Sequence, residues 1–144
     1  MNDDTESLIF TAITHAVNGD DRGATTILRE IGERSDSAHM YGVCCAIAAM
    51  GAGVLVGLHG PREDGEFWRL TDLKPGALDV SGPAHTFALR FLVAHANDDA
   101  DMTWALYQAA EDASDLEYVE SVQELLATVA CLVRGALDSD EARG

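Results

Sequence analysis

Between Ala38 and Pro61 the chain carries no Asp, Glu, Lys or Arg, although the whole protein has a formal charge of −16. A stretch of that kind belongs out of water. It is either the central buried helix of an all-helical domain or a membrane segment, since about 20 apolar residues suffice to span a bilayer. Its Gly and Ala content makes it weakly hydrophobic, and no basic cluster flanks it to set an orientation in a membrane. The core-helix reading is therefore preferred and no membrane partner is expected. Gly53 and Gly57, with Ala49 before them, have the small-residue spacing that lets helices approach closely.

The remaining segments read as amphipathic helices placed to cover that one. The first spans about 5–18, with Leu8, Ile9, Ala12, Ile13, Ala16 and Val17 on one face. The second spans about 21–33, with Ala24, Ile27, Leu28 and Ile31 inward. Ser35 and Asp36 open the third, in which Met40, Val43, Cys44, Ile47 and Met50 keep helical spacing. Gly51 and Gly53 each weaken it by about 1 kcal/mol relative to Ala. Without a Pro or a strand partner, it is expected to continue to about Leu58. Residues 60–82 hold four turn signals and form a long irregular loop. Pro83 starts the fourth helix, whose stripe is Ala84, Phe87, Ala88, Phe91, Leu92 and His95. The fifth, about 99–112, is expected to turn Met102, Ala105, Leu106, Ala109 and Ala110 inward. Ser114 and Glu117 form a capping box for the sixth. It is expected to run to about Leu137, with Val119, Val122, Leu126, Val129 and Val133 buried and Glu117, Glu120 and Glu124 outward, leaving 138–144 as a loose tail.

These elements predict an all-α fold, a six-helix bundle in a single domain spanning residues 1–144, with the third and sixth helices at its centre. A shift of 79 residues carries Asn18 to Asn97, Asp20 to Asp99, Ser35-Asp36 to Ser114-Asp115 and Val43 to Val122. Residues 1–59 and 83–137 thus read as pseudo-repeated three-helix halves. A chain of this size buries roughly two-thirds of its unfolded surface and needs no metal or disulfide to fold.

Charge limits the function. There are 25 acidic residues against 9 basic ones, and Asp98–Glu141 holds twelve of the acids with Arg134 alone against them. Such a surface repels nucleic acid and anionic lipid, so direct binding to either is not expected. It suits solubility, a basic protein partner, or mimicry of a nucleic-acid backbone toward a basic partner. The Asp-, Ala-, Gly- and Arg-rich composition is that of a GC-rich bacterial genome. The acidic start, MNDDTES, has no signal-peptide pattern. Free cysteines in apolar surroundings point to a reducing cytoplasm.

Familiar chemistry is absent from the motifs. Asn97, Asp99 and Asp101 have the first spacings of a calcium loop, but Met102 and Gln108 stand where Gly and Glu are required. No two of the five histidines pair at i, i+3 or i+4, so no metal face is expected. Cys44, Cys45 and Cys131 lack the electropositive setting of a nucleophile. No phosphate-cradling glycine loop occurs, and no cofactor is expected.

Phe67, Trp68, Arg69 and Leu70 are the candidate partner-binding residues; the competing reading folds Phe67 and Trp68 back as a lid on the core. That loop, with Arg62, Arg69 and Lys74, or else a strip of the third helix, is also the expected surface of a homodimer. The main expectation is a non-enzymatic interaction or accessory protein. Its rival is a small-molecule sensor or enzyme with a pocket lined by His39, His85 and His95.

Overall fold

The computed structural model describes residues 3–63, 66–69 and 82–143, the last without the side chains of 139–143. Six helices account for most of them: α1 (Asp3–Val17), α2 (Asp21–Glu33), α3 (Ser37–His59), α4 (Pro83–Ala96), α5 (Ala100–Ala113) and α6 (Asp115–Arg143). Among the described residues there is no strand. The fold is an all-helical bundle. α6 packs on α1, α3, α4 and α5, while α3 packs on α6, α4 and α1.

The uncharged run forms one unbroken helix. Asp36 caps its start by accepting from the His39 N–H at 2.8 Å, and Gly60, at φ 81°, ends it. By length and composition α3 could cross a membrane. In the bundle, Met40, Val43, Cys44, Ile47, Ala48, Gly51 and Leu55 form its buried face. The opposite face, including Ala49, Gly53 and Gly57, is exposed. Gly51 is the point of closest approach. A Cβ there would stand 2.8 Å from a Leu92 methyl of α4 and 3.0 Å from a Val129 methyl of α6, and both side chains are fully buried.

The turns that lead into α2 and α5 correspond residue for residue. Asp20 and Asp99 cap α2 and α5 with nearly the same backbone angles, φ −89°, ψ 74° and φ −94°, ψ 78°. Each accepts from the N–H three residues on, Gly23 at 2.9 Å and Met102 at 3.2 Å. The hairpin bonds Asp20 N–H to His15 C=O and Asp99 N–H to Ala94 C=O also correspond at a shift of 79. Gly19 and Asp98 both take the left-handed conformation at the turn, φ 83° and 57°.

At the third helix of each half the shift is 78 instead. Asp36 caps α3 at His39, whereas Ser114 caps α6 at Glu117, 3.1 Å away. This one-residue slip corrects the expected register. It carries the buried Cys44, Ile47 and Ala48 onto the buried Val122, Leu125 and Leu126. Val119, expected inside, is 47% exposed.

Two further expectations are corrected. α5 buries Thr103 and Tyr107, while Met102, Ala105 and Ala109 are exposed and Leu106 and Ala110 only half-buried. A stripe counted from aliphatic residues passes over Thr103 and Tyr107. Both can be buried because their hydroxyls are bonded: Thr103 to Tyr41 at 2.8 Å, Tyr107 to the Ser37 carbonyl at 3.0 Å. The supposed loose tail from 138 continues α6 to Arg143.

The two glycines of α3 separate propensity from packing. Nothing lies within 4 Å of a Cβ at Gly53. Gly53→Ala is expected to stabilise the protein by up to about 1 kcal/mol through helix propensity. Gly51→Ala gains the same propensity but overpacks a tight contact, at a cost of about 1–3 kcal/mol, and is expected to destabilise. Thermal unfolding of both variants checks this; equal shifts would mean α3 does not approach α4 and α6 at Gly51.

Candidate functional site

The expected partner-binding segment splits. Trp68 is 5% exposed and belongs to the core, whereas Phe67 is 67% exposed. The Trp68 backbone is held by one side chain at the end of α4. Its N–H donates to Asn97 Oδ1 at 2.6 Å, and its C=O accepts from Asn97 Nδ2 at 3.0 Å. The Arg62 guanidinium lies 4.0 Å from the indole centroid, and the His59 ring meets it edge-on at 6.0 Å. Arg69 is exposed. Leu70 and Lys74 lie outside the described residues. Trp68 therefore takes the lid role, and Phe67 is the exposed aromatic.

The three histidines occupy three different places. His39 is half-exposed on the first turn of α3. His85 and His95 lie ten residues apart along α4, about 15 Å at the helical rise. Burial holds His95 below the usual imidazole range, with the Asp98 carboxylate acting weakly against it. His85, 8% exposed, has its Nδ1 3.0 Å from Glu124 Oε1 of α6. Glu124, expected to face outward, thus reaches across the bundle to this ring. None of the three histidines lines the grooves described below.

What the sequence reading missed is a pair of seams, α3–α5 and α2–α6, whose residues correspond at shifts of 78 and 79. The first is closed by aromatics. The Tyr41 ring meets Trp104 edge-on at 4.9 Å and Tyr107 at 5.5 Å. The Tyr107 hydroxyl lies 2.8 Å from that of Tyr118, and Glu111 accepts from both Ser37 and Tyr107. Burial raises the pKa of Tyr41, Tyr107 and Tyr118, so the phenols remain neutral.

The second seam is open. The repeat shifts bring Tyr41 to Val119, Trp104 to Thr25 and Tyr107 to Leu28. With smaller residues there, a groove of about 330 Å³ remains between α2 and α6, with Leu28, Met40 and Val122 among its buried lining residues and Val119 beside them. It continues past Leu28 and Gln123 into a second groove of about 300 Å³ reaching Ala84. Four carboxylates line the pair, Asp21, Glu33, Glu120 and Glu124, against the single guanidinium of Arg29. Nearby, the Gly23 N–H, assisted by His15 at 2.9 Å, keeps the Asp20 carboxyl below its usual range. A third groove, of about 310 Å³, lies between α4, α5 and α6 around Phe87 and Arg90.

Among the described residues no group of three or more His, Cys, Asp or Glu is placed to hold a metal ion. Cys44 is fully buried, and desolvation, reinforced by neighbouring Cys45, pushes its thiol up to about 12. Burial also raises Cys45, while Cys131 is exposed. No protein-family model, curated protein or solved structure matches this chain.

Two measurements check these placements. Trp68→Ala is expected to cost about 3–5 kcal/mol in denaturant unfolding, and Phe67→Ala no more than about 0.5 kcal/mol. Similar costs would remove the lid assignment. A thiol reagent at pH 8 is expected to label Cys131 first, Cys45 slowly and Cys44 only on unfolding. Early labelling of Cys44 in the native protein would contradict its burial.

Proposed function

We propose that this chain is a small acidic protein–protein interaction module, non-enzymatic and accessory to a partner, and that the α2–α6 groove is its binding surface. The observation that supports the reading is the open seam itself. Its counterpart across the repeat is filled by the chain's own Tyr41, Trp104 and Tyr107, whereas here Leu28, Met40 and Val122 underlie a cleft beside an exposed Val119. Leu116, 69% exposed, stands one turn before Val119 and extends the apolar edge. Apolar clefts with a few polar groups at their margin are where binding energy concentrates.

Affinity capture from lysate of the source organism tests this, with wild-type protein, Val119→Glu and Arg90→Ala as baits. Arg90 lies in the groove between α4, α5 and α6 and serves as the control. A partner held by wild type and by Arg90→Ala, and depleted at least tenfold from Val119→Glu, is the expected result. Equal recovery on Val119→Glu would overturn the groove as the binding surface.

A further inference from the structure

We infer that the α2–α6 groove takes one basic amphipathic helix of a partner protein, anchored by a single aromatic side chain. This rests on the groove being the binding surface and adds the chemistry of what binds there.

The size of the anchor follows from the filled seam. There the space between α3 and α5 holds Tyr41 against Trp104 and Tyr107 with ring centroids 4.9 and 5.5 Å apart. The shifted positions Val119, Thr25 and Leu28 carry no ring, and the groove of about 330 Å³ beside Val119 and Leu28, with Tyr118 on its wall, has room for one aromatic side chain. Desolvated aromatic side chains seated in such clefts commonly dominate binding.

The charge follows from the walls. Glu120 and Glu124 of α6 stand where α3 has Gly42 and Ala46, so this seam has gained carboxylates that its counterpart lacks. With Asp21 and Glu33, and with Arg29 in the lining and His85 bonded to Glu124 behind it, the lining is net acidic. Asp21, Glu120 and Glu124 lie toward the Ala84 end, Met40, Val119 and Val122 toward the other with Arg29 and Glu33, and Leu28 lines both. The occupant therefore places its aromatic residue near Val119 and its Lys or Arg residues toward Glu124. A second copy of this chain, at −16, is a poor fit.

The length follows from the walls as well. α2 borders the cleft from Asp21 to Glu33, about 18 Å at 1.5 Å per residue, which matches roughly three turns, or about twelve residues, of a docked helix.

The probe is a synthetic helical peptide of about that length, built from Lys, Leu and Ala with one central Trp on its apolar face. Three controls accompany it: Trp→Ala, all Lys→Glu, and a scramble without helical periodicity. Binding is read by fluorescence anisotropy at low and high salt. The parent peptide is expected to bind saturably and to weaken as salt rises. The Trp→Ala and scrambled peptides should bind at least tenfold more weakly, and the Lys→Glu peptide not at all.

On the protein side, Thr25→Trp with Val119→Tyr restores the rings of the filled seam. This double variant is expected to keep or raise the melting temperature and to lose binding at least tenfold. Equal binding of parent and scramble, or undiminished binding to a folded double variant, overturns the inference. A Trp-bearing helix without Lys that binds as tightly overturns the charge requirement, and thus the inference, while leaving the groove as binding surface. Failure of every peptide, alongside partner capture that is lost with Val119→Glu, does the same.

Discussion

The close approach of α3 to α4 and α6 at Gly51 is the contact on which the rest of the bundle depends. A glycine at that point lets Leu92 and Val129 press against the α3 backbone. Around it the uncharged helix buries a continuous face without desolvating any charge, which is why its lack of ionisable residues is tolerable in a chain so acidic. Every other helix then has an apolar surface to cover. α1, α4, α5 and α6 each turn a stripe toward this centre, and the segment at 66–69 closes one end with Trp68.

The second organising feature is a correspondence between helix starts in the two halves that does not extend to their packing, since α4 packs extensively on α6 and α1 only slightly on α3. Both helical hairpins use an Asp cap in the same conformation, and both long helices start from a cap three residues before the bonded N–H. The α3–α5 and α2–α6 seams, related in sequence by the shifts of 78 and 79 residues, carry different side chains. One holds three aromatic rings and a bonded set of phenols, which makes it tight and polar-satisfied. The other offers Val, Thr and Leu at the shifted positions and acids along its wall, and a cleft lies there. The proposed function rests on that difference, because a bundle alone implies no activity.

Much of this was legible in the sequence. Charge distribution located α3, and aliphatic periodicity located α1, α2 and α4 with their buried faces. Asp36, Pro83 and Ser114 marked the starts of α3, α4 and α6. The face of α5 was hidden because its buried residues are Thr103 and Tyr107, whose hydroxyls mask their role in a count of aliphatic residues. The repeat held the missing clue: a shift of 79 carries Ala24 and Leu28 onto those two residues. The face of α6 was right at Val122, Leu126 and Val129, and it failed at Val119 because that residue stands at the open α2–α6 groove. The groove could not be read from composition, since it depends on what is missing opposite Leu28. Nor could the pairing of His85 with Glu124, which joins two helices far apart in sequence. Trp68 and Phe67 are adjacent and similar in character, and only the Asn97 clamp decides which one turns inward.

The acids of α6 have a kinetic consequence. From Asp98 to Val133 the chain has no Lys, Arg or His, so Glu117, Glu120 and Glu124 act on their surroundings with no positive charge nearby along the sequence. Long-range fields of this kind bias diffusional encounter, raising the frequency with which cationic molecules arrive at that face and turning them before contact. Arrival and residence then answer to different parts of the molecule. For the basic helix proposed above, the carboxylate row would set how fast it reaches the bundle, with a rate that falls as ionic strength rises, and the apolar cleft beside it would set how long it stays.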